Sequence, residues 1–356
     1  MSAALDARPL AALVAWNAVS SLGESAAETA LLLRAGLNNV APSRFVDAAG
    51  ERVMMCSSPA VPPDLGGVER AAALAQLALS GLGEAIETPW RPVLLLALPE
   101  RYAEGERGLT LATEGQAFLG VMRAGLPPQL KNIEIEVFPF GRAAGAVAMR
   151  RALDLVERDR LVIWGGVDTL HDWTALEPLE RANRLMTVKN IDGVRPGEGA
   201  AFMAVAPADA GYGIRVLGLG TGREPYPVGF EVPCRSLGLS AALTAAVAPL
   251  RVAGRRSNCW LLDNTHETYS TQELQNVIAR FGDVLGLQTD LQMPLQELGD
   301  VGAAAMPLLA VLSAEAWRLG YANDDTAVIT GCSQGGARGA LLLGAYDGFR
   351  PAEMAA

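Results

Sequence analysis

The stretch from Ile133 to Asp168, IEIEVFPFGRAAGAVAMRRALDLVERDRLVIWGGVD, carries the pattern that sets the fold class. Its opening, Ile133-Glu134-Ile135-Glu136-Val137, alternates apolar and acidic side chains, the period-two signature of a strand with one face buried. Ala143 to Glu157 reads as a helix. Leu161-Val162-Ile163-Trp164 is a short continuous apolar run, which predicts a central strand ending at Gly165-Gly166. Strand, helix and strand in immediate succession predict an α/β body.

The same alternation continues outward in both directions. Towards the N-terminus, Leu13 to Trp16 predicts a first strand and Ala26 to Ala35 a helix. Ser25 and Glu28 have capping-box spacing at its start, and Gly36 suits its end. Arg52 to Cys56 reads as a hairpin arm, and Val68 to Leu82 as a helix ending near Gly83. Pro92 to Leu98 reads as a buried strand and Thr113 to Arg123 as a helix. Towards the C-terminus, Ala200 to Ala206 predicts a strand. A second series then begins. Gly213 to Gly220 reads as a strand, Leu239 to Val252 as a helix, Trp260 to Leu262 as a strand and Thr271 to Phe281 as a helix. Val301 to Leu319 follows as a helix, then Ala327 to Ile329 and Ala340 to Leu343 as strands. The seam falls in the small and turn-forming residues 207–212, so residues 1–208 and 209–356 are expected to form two fused βαβαβ-type halves. Mostly parallel central strands are expected. There is no low-complexity tract and no short tandem repeat.

Composition narrows the function classes. The chain has 356 residues, half of them hydrophobic, and a formal net charge of -10. That length allows about two domain-sized units. The acidic balance argues against nucleic-acid binding, which needs a basic surface to neutralise phosphates. Arg150-Arg151 and Arg255-Arg256 are short basic pairs of the kind found on solvated surfaces. Cys56, Cys234, Cys259 and Cys332 form no C-x-x-C pair, and there are two histidines, so neither a zinc site nor any other metal or cofactor is expected. No basic-then-apolar leader and no uninterrupted apolar span of about 18 residues is present. The expectation is a cytoplasmic protein without a membrane segment.

One motif points to chemistry. Gly331-Cys332-Ser333-Gln334-Gly335 matches the nucleophile elbow G-x-S-x-G and follows an apolar strand. That elbow requires an acid and then a histidine downstream, yet His171 and His266 both precede Ser333. A glycine-rich turn between two strands is the preferred reading.

Several segments, in order along the chain, resemble the β-ketoacyl synthases of the thiolase superfamily. Trp16 to Gly23 (WNAVSSLG) resembles the family's first strand and turn, and Arg34 to Asn39 (RAGLNN) the segment that follows it. Val162 to Asp168 resembles the strand after the nucleophile helix. Gly197-Glu198-Gly199-Ala200 resembles the family's GEGa segment, and Asn264-Thr265-His266-Glu267-Thr268 its NaHGT motif. Gly299 to Ala304 resembles GHxxGAAG, and Gly331 to Gly339 resembles the late sFGFGGtN loop. The loop at 187–195 is shorter than in typical members.

The resemblance implies a thiolase-like fold with layers αβαβα, and it implies a site. The family's nucleophile is a cysteine at a helix N-terminus, where the helix dipole lowers its pKa, and two histidines stabilise the developing enolate. Matching Phe140 to Ala148 to that turn puts Arg142 at the cysteine position, and no cysteine lies nearby. An arginine stays protonated and cannot be a nucleophile. His266 matches the first histidine, Asp300 stands at the second, and the neighbouring lysine is missing. Cys332 and Gln334 replace the aromatic gate, so Gln334, Gly335 and Gly336 are expected to line the old site. Arg142 and Asp300 are expected to form an ion pair filling it. Glu198 and Glu273 resemble structural acids that bond backbone groups, and His171 reads as a loop or interface residue.

The implied function is that of a degenerate synthase acting as a subunit or adaptor. It would form a homodimer, or a heterodimer with a ketosynthase-like protein as chain length factors do, or sit beside a secreted bacterial effector. An acyl carrier or effector protein is the further partner to expect. The alternative is a residual acyltransferase or thioester hydrolase using Cys332 or Ser333 with His266.

Overall fold

The computed structural model describes residues 5, 7–82, 92–105, 110–158, 160–210 and 213–346. Among them, fourteen strands alternate with helices. The strands are β1 (Ala11–Ser20), β2 (Val40–Val46), β3 (Arg52–Cys56), β4 (Val93–Ala97), β5 (Ala103–Glu104), β6 (Thr110–Leu111) and β7 (Glu134–Phe138), then β8 (Val162–Thr169), β9 (Glu198–Ala206), β10 (Ile214–Arg223), β11 (Ser257–Leu261), β12 (Leu285–Gln292), β13 (Thr326–Cys332) and β14 (Ala337–Gly344). The helices are α1 (Ala26–Arg34), α2 (Gly67–Ser80), α3 (Thr113–Ala124), α4 (Ala144–Val156) and α5 (Trp173–Arg181), then α6 (Leu237–Ala246), α7 (Ala248–Val252), α8 (Thr268–Arg280), α9 (Leu295–Leu298) and α10 (Ala305–Arg318).

Ten strands join edge to edge in the order β12-β11-β13-β14-β10-β1-β9-β8-β4-β7. Counted along the chain, each set of five follows the same order from its outer edge inward: third, second, fourth, fifth, first. The two sets meet at β1 and β10 through only three residue pairs, Ala11–Val216 to Leu13–Ile214. Helices α4 and α10 pack between the sets, touching strands of both and sharing one core with Val93, Leu95, Trp164, Ile329 and Leu341. On the outer face of the first set, Leu94, Leu96 and Ile163 pack against α2 and α3. On the outer face of the second, Trp260, Val328 and Leu342 pack against α6 and α8. Burial on both faces explains why these strands read as continuous apolar runs rather than alternating ones.

Four points differ from the sequence reading. The central strands are antiparallel, from β13–β14 through β9–β8. Parallel pairs are confined to the flanks, in β12-β11-β13 and β8-β4-β7. The chain reverses directly from β13 to β14 across Ser333–Gly336, too short a link for the crossover that parallel strands need. Secondly, β8 does not end at Gly165-Gly166 but runs through them to Thr169. A Cβ at Gly165 would lie 2.2 Å from the Phe202 ring, and one at Gly166 would lie 2.4 Å from the Ala303 carbonyl, so these glycines mark close packing rather than a turn. Thirdly, the expected helix from Leu239 to Val252 breaks at Val247, just ahead of Pro249, which lacks the N–H to continue it. Finally, α5 and β12 were not anticipated, because Pro178 sits inside the first and Gln288, Thr289 and Asp290 dilute the second. The helix expected to run to Leu82 ends at Ser80, and Gly83 lies outside the described residues.

Candidate functional site

After β7 the chain turns at Pro139 and Phe140 into a single 3-10 turn, Gly141–Ala143, that leads into α4. Gly141 takes a φ of +65°, and its N–H donates to the Leu98 carbonyl at 3.0 Å. That left-handed conformation favours glycine, and it swings the next side chain, Arg142, under the helix N-terminus. The hydroxyl of Ser333, from the β13–β14 turn, fastens the same place. Its Oγ accepts from the Ala143 N–H at 2.8 Å and donates to the Phe140 carbonyl in a short hydrogen bond.

Asp300 follows Gly299, which has a φ of +76°, and its N–H donates to the Arg195 carbonyl at 2.9 Å. Its carboxylate meets Arg142 in a two-pronged pair: Nε donates to Oδ1 at 2.9 Å and Nη2 to Oδ2 at 2.5 Å. Arg142 is 7 % exposed and Asp300 5 %, so the pair is closed to solvent. The Gly302 N–H also donates to Asp300 Oδ1 at 2.9 Å. Burial alone would raise the Asp300 pKa. The adjacent guanidinium, its hydrogen bonds and the Gly302 N–H reverse that and hold the carboxyl below the usual carboxylate range. A guanidinium opposes the positive end of a helix dipole, so it needs such an anion here.

Further charges surround the pair. Glu100 accepts from the Gly335 N–H at 2.9 Å, and burial raises its pKa. Asp263 accepts from the Cys332 N–H at 2.5 Å and from Thr330 Oγ1 at 3.1 Å. Arg184 grips Glu267 at 2.7 and 2.9 Å and donates to Gln334 Oε1 at 3.1 Å. Beside Arg142 and Asp300 lies a cavity of about 160 Å³, whose walls include Glu100, Asp168, Leu179 and Gln334. Pockets that enclose a drug-sized ligand run from about 300 to 1,000 Å³, so this space is too small for a long acyl chain.

The structure therefore brings Arg142, Asp300, Ser333 and Gln334 together, with Gly335 against Glu100. Gly336 closes the turn with a φ of +93° and accepts from the Glu224 N–H at 2.7 Å. Among the described residues, no hydrogen bond joins the residues proposed for residual catalysis. His266 Nε2 lies 3.4 Å from the Gln296 carbonyl, and no hydrogen bond described for it reaches Cys332 or Ser333. Burial, then the Arg195 charge, lowers its pKa. Strand alternation separates the other two. Gly331 faces the Arg142 carbonyl, whereas Cys332 turns to the opposite face and packs against the outer core of the second set. Burial pushes its thiol well above the ordinary range, away from the thiolate that nucleophilic attack requires. Ser333 donates its proton to the Phe140 carbonyl, and among the described residues no side-chain base accepts it.

The structural acids divide. Glu198 accepts from the Ser58 N–H, from Arg70 at both oxygens and from Thr169, each at 2.6 Å. Glu273 bonds the Arg338 guanidinium at 2.8 Å instead of backbone. His171 lies in the loop between β8 and α5, as expected, but is buried there. It is 6 % exposed, edge-on to Phe45, with Nδ1 3.3 Å from Ser57 Oγ. Glu100, Asp263, Arg184 and Glu267 were missed by sequence reasoning. Only Glu267 carried a signal, as a charged residue where NaHGT has glycine.

Three solved structures align over nearly the whole chain. A type II polyketide synthase acyl-carrier protein in complex with its ketosynthase bound to the hexaketide aligns at TM-score 0.73 and 12% identity, covering 96% of this chain and 100% of the other. A ketosynthase in complex with its chain length factor from Xenorhabdus doucetiae aligns at 0.69 and 16%, covering 94% and 98%. A beta-ketoacyl synthase from Burkholderia phymatum STM815 aligns at 0.69 and 14%, covering 95% and 99%. This is a ketosynthase fold. The thiolase-like layering expected from the motifs is the one observed; in it the 142 turn leads into α4, the helix packed between the two sets. No family model matches the chain, and no curated protein matches it. Among the described residues, no helix is long and apolar enough to cross a membrane.

Proposed function

We propose that this chain is a catalytically degenerate ketosynthase-like subunit that works by association, in the manner of a chain length factor or of an adaptor beside a secreted effector. The observation that carries the reading is the buried Arg142–Asp300 pair: it holds a permanent cation at the position that the motif match assigns to the nucleophile, where acyl transfer would need a thiolate. The small cavity beside the pair and the outward-facing Cys332 support the same reading. A ketosynthase in complex with its chain length factor shares the fold, which favours a ketosynthase-like partner, with an acyl carrier protein as a further one. The cytoplasm is the compartment proposed.

The repeated strand order supports dividing the chain into halves 1–208 and 209–356. Strand β7 is the proposed pairing edge for a second subunit, because β4 is its one partner strand among the described residues and its acids are already neutralised. Glu136 meets Arg151 at 2.8 Å and Glu134 meets Arg160 at 3.0 Å.

The test is incubation of the full chain with an acyl thioester and with a cerulenin-type electrophile, followed by peptide mass spectrometry. We expect no acyl adduct on Cys332 or Ser333. An adduct on either that disappears in a His266→Ala variant would overturn the proposal.

A further inference from the structure

A second charged cluster adjoins the far end of the Ser333–Gly336 turn, where β10 leads towards α6. Glu224 follows β10, Cys234 precedes α6, and Glu273 projects from α8. All three are buried, at 1 %, 9 % and 2 % exposure, and one donor atom from each lies within 4.8 Å of the others. The Glu224 carboxylate is half used: Oε2 accepts from the Gly238 N–H at 2.9 Å, while Oε1 is buried with no hydrogen-bond partner among the described residues. An anionic oxygen withdrawn from water and left unbonded is costly, so it needs a cation or a proton. Arg338 does not meet that need. Its Nε is on Glu273 Oε1 at 2.8 Å, Nη1 is on the Ser333 carbonyl at 2.7 Å, and Nη2 is on the Tyr269 hydroxyl at 3.1 Å.

We propose that Glu224, Cys234 and Glu273 form a binding site for one divalent metal ion of the zinc type. The donor set selects the metal: a thiolate with two carboxylates suits a borderline-soft ion, whereas magnesium and calcium take oxygen alone. Charge balance agrees. Two carboxylates and a thiolate against Arg338 sum to two negative charges, which one divalent ion neutralises. Binding forms a metal–sulfur bond and releases the Cys234 thiol proton to solvent. Metal–ligand bonds of about 2.0–2.3 Å require the three donors to close in by small side-chain shifts, leaving a fourth tetrahedral position for water. The ion would tie the β10–α6 loop to α8, and through Arg338 to the turn that holds Ser333.

The experiment uses the full chain stripped with a chelator, dialysed, and titrated separately with zinc and cobalt(II). We expect one zinc per chain after gel filtration, measured by elemental mass spectrometry. Cobalt should give a near-ultraviolet thiolate-to-metal charge-transfer band. Cys234→Ser should abolish that band, and Glu224→Gln, which keeps an acceptor for Gly238, should weaken zinc binding at least tenfold. Cys332→Ser and Cys259→Ser should leave both readouts unchanged. Circular dichroism confirms that each variant is folded. Sub-stoichiometric zinc in the folded parent chain, or an unaltered cobalt band in Cys234→Ser, would overturn the proposal.

Discussion

Arg142 and Asp300 are 158 positions apart in sequence and share two hydrogen bonds in a site closed to water. Each partner makes the other tolerable. Removing one leaves an uncompensated buried charge, which costs about 3–5 kcal/mol, whereas replacing both with apolar residues of similar volume is often neutral. Arg142→Met and Asp300→Asn are therefore each expected to lower the urea midpoint strongly, and Arg142→Met with Asp300→Leu to recover most of the loss. The pair also sets an acid limit. Because the folded-state pKa of Asp300 is depressed, the unfolded chain takes up its proton first as pH falls. The stabilisation is complete above the unfolded-state value near pH 4 and is lost as pH drops through the folded-state value. The stability difference between the parent chain and Asp300→Asn should accordingly shrink in urea titrations repeated below about pH 4.

Among the elements, the β13–β14 hairpin shows how a short pattern can mislead. The G-x-S-x-G spacing around Ser333 is that of a nucleophile elbow, but the hydroxyl is committed to the backbone at the start of α4. Ser333→Ala would leave the buried Ala143 N–H and Phe140 carbonyl without this partner, at about 1–3 kcal/mol. The expected outcome is a lower thermal midpoint with background esterase activity unchanged; a serine hydrolase would show the reverse. Elements with a clean period were legible. β7 alternates, β4 is continuously apolar, and α1 begins at Ser25, whose Oγ accepts from the Glu28 N–H at 3.3 Å. The capping box itself is displaced, because Glu28 accepts from Glu24 rather than from Ser25. α5 and β12 were illegible because their stability comes from neighbours rather than from their own periodicity.

At the scale of the whole molecule, the ten-stranded sheet has edges at β7 and β12 that pair with no further strand among the described residues. An edge strand exposes unpaired backbone groups and is a template for another chain. If β7 pairs with its own copy across a two-fold axis, each of its residues enters the interface twice. Glu136→Lys, which sets two cations beside each other at Arg151, is then expected to shift a dimer towards monomer in light scattering coupled to gel filtration. If β7 instead pairs with a ketosynthase-like partner, the same change should weaken co-purification with that partner.

Sequence alone determined the local periodicity, the ordered motifs and the lack of a thiol near position 142, because each depends on residues close together in the chain. The expectation of an Arg142–Asp300 pair came from matching two motifs, and only packing could bring those side chains within bonding distance. Other features had no local trace. The antiparallel centre of the sheet, the turning away of Cys332, the contact of His266 with the Gln296 carbonyl, and the convergence of Glu224, Cys234 and Glu273 are products of tertiary structure. Strand pairing and layer stacking decide which distant side chains meet, and burial then decides which of them remain charged.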